Sequence, residues 1–244
     1  MKRIVKEPFL WVGLFLTLAS TASAAPCVPD TLAGYISLGA TGCTIGDTSF
    51  FDFASLDVPT GATQVAPEEI TLNPLNIPSL PGIEFQVNLA ASPGQLWETL
   101  IHYTVSGSFF AGNTLSMDGS SATGDAAVTV IEDKCLGGSF APGEPTGCTG
   151  LSANLIVFHN DSEADTLEQL SFAPVSLISV VTDIAVDGGF DGSGSGALRS
   201  ATNRFQTQVD QPIPEPATLL LMASGLCGLK LLRGRILNHS QGQG

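Results

Sequence analysis

Positive charge is what this chain most lacks. Its 244 residues carry 9 Lys and Arg against 23 Asp and Glu, a formal net charge of −14. Between residues 25 and 216 the only basic side chains are Lys134, Arg199 and Arg204, while every acid except Glu7 lies there. A nucleic-acid partner needs a basic surface to displace counterions, so that class of function is excluded. Aromatics are scarce as well, at 7% with 2 Trp and 2 Tyr. Histidine is limited in the same stretch to His102 and His159. No C-x-x-C pair, G-x-S-x-G elbow, H-E-x-x-H helix or phosphate-binding glycine loop occurs, which removes the families that carry such motifs. Disorder is not the answer either, because 43% of the chain is hydrophobic and can form a core.

The two ends read as addresses. Lys2, Arg3 and Lys6 precede an apolar run at residues 9–19 (FLWVGLFLTLA), and Ala22-Ser23-Ala24 supplies small residues at a cleavage site. Residues 1–24 are therefore expected to be a secretory signal peptide, removed by signal peptidase before Ala25. Pro26 ahead of Cys27 argues against a lipoprotein signal. At the other end Pro214-Glu215-Pro216 leads into an apolar stretch from residue 217, followed by Lys230, Arg233 and Arg235. With Lys230 snorkelling, about residues 217–232 make a short membrane-spanning helix. Its basic end stays on the cytoplasmic side.

This tail resembles the PEP-CTERM sorting signal of Gram-negative bacteria that carry an exosortase. The match rests on Pro214, Glu215 and Pro216, the Ala217-Thr218-Leu219-Leu220-Leu221 run, Gly225 and Gly228, and the Arg233/Arg235 cluster, in fixed order at a chain end. The same kind of tail also goes under the name of an ice-binding protein C-terminal domain, which describes the tail and not the centre. The resemblance implies a membrane partner, exosortase, that recognises the Pro-Glu-Pro region and removes the helix. It implies delivery to the cell surface or extracellular matrix, often alongside exopolysaccharide. The polar extension at residues 236–244 departs from the usual short basic end.

Between the ends lies one domain, residues 25–211. Its pattern has period two. Residues 83–89 (IEFQVNL) alternate without a break, and Ile101, Tyr103 and Val105 share one side of residues 99–105. Further runs of strand character cover 126–131, 151–158, 175–186 and 204–209, with turn signals at Asn73-Pro74, Pro81-Gly82, Ser92-Pro93-Gly94, Asp118-Gly119, Pro142-Gly143 and 187–196. About nine or ten short strands at this spacing predict an all-β, two-sheet antiparallel β-sandwich of jelly-roll kind. One short helix is expected over residues 31–38, with Asp30 as its cap and Gly39 as its stop. Four cysteines fall in the exported part, and local pairing of Cys27 with Cys43 and Cys135 with Cys148 is expected. Each such loop stabilises the fold by about 3 kcal/mol.

Candidate chemistry is thin. Asp161, Glu163 and Asp165 alternate in one acidic turn, and Asp187 and Asp191 flank a glycine-rich one. Carboxylates and carbonyls in flexible turns are what Ca2+ takes, yet no complete calcium-loop motif is present, and solvated acidic turns explain them as well. No other cofactor is implied. Thr residues follow no period, so a flat ice-binding array is not expected. The reading that follows is a non-enzymatic surface or matrix protein. The alternative is a carbohydrate-binding module touching exopolysaccharide through Trp97 or Tyr103, although both fit a core. A third is a secreted hydrolase using a carboxylate pair.

Overall fold

The computed structural model describes residues 24–141, 146–190 and 192–208. The signal peptide but for Ala24, Asp191 and the whole sorting tail with Pro214, Glu215, Pro216, Arg233 and Arg235 lie outside the described residues. Among the described residues no helix is long and apolar enough to cross a membrane.

The described chain is all-β. Its strands are β1 (Ala25–Pro26), β2 (Asp30–Thr31), β3 (Cys43–Ile45), β4 (Thr48–Leu56), β5 (Thr63–Gln64), β6 (Thr71–Leu75) and β7 (Gly82–Ala91). They continue as β8 (Leu96–Asp118), β9 (Ser121–Thr123), β10 (Ala127–Leu136), β11 (Leu151–Asn160), β12 (Ala164–Asp165), β13 (Leu167–Asp187) and β14 (Ser195–Thr207). The one α-helix, α1 (Leu32–Ser37), sits where the sequence puts it. Its cap is not Asp30. Thr31 has the extended backbone a cap needs and its hydroxyl accepts from the Gly34 amide at 3.2 Å, while Asp30 is drawn into β2 beside Leu72. Gly39, at φ 53°, follows the last helical turn in the left-handed conformation that stops helices.

Short strands alone do not build the sheet. β8 has 23 residues and β13 has 21, and they pair along almost their whole length. The ladder between them breaks register between Ser171 and Val175 and again before Leu177, which divides the sheet into two limbs. In the first limb, residues 96–106 of β8 lie between β13 and β4, and β10 and β11 extend the sheet beyond β13. In the second, residues 110–118 of β8 lie between the start of β13 and β14, followed by β7, β6 and β2. Gly107 stands at the bend, where a Cβ would lie 2.9 Å from the Phe110 ring. The main ladders are antiparallel; β1 with β3 and β5 with β8 add two-residue parallel pairings. Asn73-Pro74, expected as a turn, lies inside β6, with Pro74 opposite Ile83. Proline is tolerated there because β2 pairs only with Thr71 and Leu72, so no neighbour needs its missing N–H.

The two limbs face each other across one core. Phe53 on β4 stacks on Tyr103 of β8 at 5.3 Å between ring centres, and Phe85 from β7 reaches the same ring at 5.8 Å. Phe50 meets Phe205 of β14 edge-on at 6.1 Å. Helix α1 closes one end by laying Tyr35 against Phe53 at 5.0 Å. Each ring buried this way contributes about 1.5–3 kcal/mol relative to an exposed one.

Candidate functional site

The cysteines pair as the spacing predicts. Cys27 is bonded to Cys43 with Cα atoms 4.8 Å apart, and Cys135 to Cys148 at 5.3 Å. The first bridge ties β1 to β3, alongside the Cys27 amide bond to the Thr44 carbonyl. The second closes the loop between β10 and β11.

Two of the loop acids accept backbone amides, Asp161 from a neighbouring turn and Asp187 from its own. Asp161 Oδ1 accepts from the Gly124 amide at 3.2 Å, and Asp187 Oδ1 from the Gly189 amide at 2.8 Å. Glu163 and Asp165 are exposed around the β11–β12 turn, which Asn160 organises by accepting from the Ser162 and Glu163 amides. Among the described residues no group of three or more His, Cys, Asp or Glu is placed to hold a metal ion. The two histidines have separate neighbours. His159 Nδ1 lies 3.0 Å from the Ser120 hydroxyl. His102 sits between the Asp52 carbonyl at 3.2 Å and the Ser179 hydroxyl at 2.9 Å, and burial pushes its pKa down.

Three features were not read from the sequence. The first is a concavity of about 410 Å³ lined by Val65, Glu69, Val87, Asn88, Leu89 and Trp97 among others. Tyr103 is fully buried, as its place in the core requires, but Trp97 is only half-buried. It occupies the inward register of β8 at the strand's start, where the core opens. Across from it a bulge in β7 leaves Val87 and Asn88 together opposite Arg199. Asn88 adopts φ 48°, and the bulge turns it outward to an exposed position. An indole face, an amide and a carboxylate around one hollow form a set that can stack on a sugar ring and bond its hydroxyls.

The second is a carboxyl cluster on the other face of the first limb. Asp183 of β13 pairs with Leu100 and Ile131, which places Glu98 and Asp133 diagonally on either side. Burial first, then the charges of Glu98 and Asp133 and a hydrogen bond with Glu98, push Asp183 up to about 7. Glu98 is raised as well, chiefly by burial. Two carboxyls in direct contact leave no space for a glycosidic bond between them, as a retaining or inverting pair needs.

The third is a polar group inside the core: Glu132 and Lys134 of β10, Asn113 of β8 and Asn203 of β14, all buried. The signal was present. Val128, Val130, Glu132 and Lys134 keep one face of β10 at period two, and only their polarity hides that the strand continues.

No protein-family model matches the chain, and no curated protein matches it. Among solved structures, a carbohydrate-binding module in complex with β-1,4-galactotriose is similar over 50% of this chain and 69% of its own, with a TM-score of 0.27 and 7% identity. A likeness at that level bears on neither the fold nor the function. The described residues form an all-β domain held by two disulfides.

Proposed function

We propose that this is an exported, non-catalytic cell-surface or matrix module, a jelly-roll-like β-sandwich delivered through its PEP-CTERM tail. Signal peptidase releases Ala25, exosortase acts at residues 212–244, and the helix at about 217–232 holds the protein in the membrane until then. The observation that carries the reading is the pair of local disulfides, Cys27–Cys43 and Cys135–Cys148. Such bonds persist outside the reducing cytosol, which agrees with a leader and a sorting signal at opposite ends of the chain. Intact mass of the protein released from the surface of a host carrying an exosortase tests this. The expected species begins at Ala25 and lacks the chain beyond the Pro214–Pro216 region. A protein found only inside the cytosol, with free thiols and both ends intact, overturns it.

A second reading is binding of exopolysaccharide. The half-buried Trp97 in its hollow with Asn88 and Glu69 favours it. A glycan array with the full protein is expected to give sugar binding that Trp97→Ala abolishes. Equal signals from both proteins exclude that hollow as the site.

A further inference from the structure

Lys134 is an unusual group to find in the middle of a β core. Its side chain and that of Glu132 are both 0% exposed. Among the described residues the close polar contacts of its Nζ are Glu132 Oε1 and the Glu132 carbonyl, each at 3.5 Å. Those lengths are at the limit of hydrogen bonding, and three donors meet two distant acceptors of one residue. Glu132 Oε2 has no hydrogen-bond partner among the described residues. A buried ion pair stabilises only when its geometry is good and its remaining donors and acceptors are satisfied, and this pair meets neither condition. Burial instead drives both groups toward neutrality, pulling Lys134 down and pushing Glu132 up. Both shifts favour the uncharged amine and the uncharged acid over the ion pair.

The opposite limb supplies a carboxamide to the same spot. Asn203 Nδ2 donates to Glu132 Oε1, the oxygen that Lys134 also touches, and to the Tyr103 hydroxyl at 2.5 Å. Asn203 Oδ1 accepts from Asn113 Nδ2, which is itself fixed by a 2.9 Å bond to the Arg204 carbonyl. The amide oxygen is thus held by a donor where negative charge would develop during an attack on its carbon. One carboxyl oxygen touches both the amine and the amide nitrogen. Tyr103, which Asn203 touches, Phe85, which packs on Tyr103, and Leu115, which pairs with Asn203, are all fully buried.

We propose that the folded protein joins Lys134 to Asn203 by a side-chain amide bond, with Glu132 as the catalytic acid–base and ammonia as the leaving group. The Nζ lone pair attacks Asn203 Cγ, and the carbonyl electron pair moves onto Oδ1, where Asn113 donates to it. Nζ loses one proton to Glu132, and Glu132 delivers one proton to Nδ2. The carbonyl re-forms, the Cγ–Nδ2 bond breaks with its electron pair on nitrogen, and NH3 departs. One C–N bond replaces another, so no oxidant or activated co-reactant is needed. Holding both reactants against one carboxyl oxygen in a buried site replaces a bimolecular encounter. The product exchanges a poorly paired buried amine for a single amide N–H and ties β10 of one limb to β14 of the other.

Peptide mapping of the protein recovered from its producing cells decides the matter. Lys134, Arg199 and Arg204 are the only tryptic sites between residues 25 and 208. After denaturation and reduction the linked protein is lighter by one ammonia, about 17 Da. Trypsin then fails to cut after Lys134, and the 200–204 peptide (SATNR) is found only attached to Lys134. Cleavage after Lys134 with a free 200–204 peptide overturns the proposal, even if ammonia has been lost by cyclisation of Asn203. A link from Lys134 to Asn113 overturns the assignment of the acceptor. Glu132→Gln, checked for folding by its two intact disulfides, is expected to leave Lys134 cleavable. Undiminished linkage in that variant overturns the role of Glu132. The wild-type map stands as the test if the variant does not fold.

Discussion

Asp183 meets Glu98 carboxyl to carboxyl across the β13–β8 ladder, and the pair is joined by a hydrogen bond. Such a contact holds together only while a proton remains between the two groups. The outer face of this limb therefore titrates where an exposed acid would long since have ionised.

The sign follows from the direction of the shift. Asp183 rises from an ordinary 3.8 to about 7 in the folded protein, so the folded state binds its proton more tightly than the unfolded chain does. Its contribution is fully present below about pH 4 and is lost as pH rises through about 7. Glu98 adds to the loss in the same direction. His102, the titratable neighbour on this face, has its pKa pushed down by burial. Urea unfolding midpoints of wild type and Asp183→Asn, measured from pH 4 to 8, should diverge with rising pH, the variant being more stable at pH 8. Parallel curves would show that the pair does not share its proton.

Removing a bridge should be costly because each restricts the unfolded chain. The Cys135 and Cys148 positions are 13 residues apart, and Cys27 and Cys43 are 16 apart. The double variants Cys135→Ala/Cys148→Ala and Cys27→Ala/Cys43→Ala should each lose about 3 kcal/mol of unfolding free energy. Equilibrium urea titration reads this directly. A loss below about 1 kcal/mol in either would mean that native packing already restrains that loop.

Charge repulsion makes a third prediction. Between residues 25 and 216 the acids face only three bases, so added salt should raise the melting temperature by screening. NaCl and CaCl2 at matched ionic strength are expected to act equally, since Asp161 and Asp187 already hold backbone amides. A calcium-specific rise that vanishes in Asp161→Asn or Asp187→Asn would restore those residues as cation ligands.

Much of this fold is legible in the sequence where side chains alternate cleanly. Residues 83–89 mark β7, and Ile101, Tyr103 and Val105 mark the inward face of β8. Local cysteine spacing gives both bridges. The continuation of β8 through Gly107 and Ser108, and of β13 through Ala173 and Pro174, is not legible. Small residues and proline look like turn signals there, although the bend is held by pairing to distant strands. The same limit hides the chemistry. Asp183 and Glu98 become neighbours only through strand register, and Asn203 reaches Glu132 only because the limbs face each other.

The bulge at Asn88 gives a fourth prediction. At φ 48° an asparagine or a glycine is comfortable and a β-branched residue is strained. Asn88→Gly should change stability little, while Asn88→Val should cost about 1–3 kcal/mol. Thermal melting of the two variants compares them. A Val variant as stable as wild type would mean that the bulge relaxes, and the Trp97 hollow would then lose its fixed far wall.

The last described strand is not at an edge. β14 runs between β8 and β7, with ladders on both flanks, and it ends at Thr207. A tether pulling from that end meets two rows of hydrogen bonds loaded lengthwise at once. An edge strand in the same position would peel away one bond at a time. A pull on that end is thus shared between β7 and β8, the longest strand among the described residues, and the domain resists being unravelled from its C-terminal side.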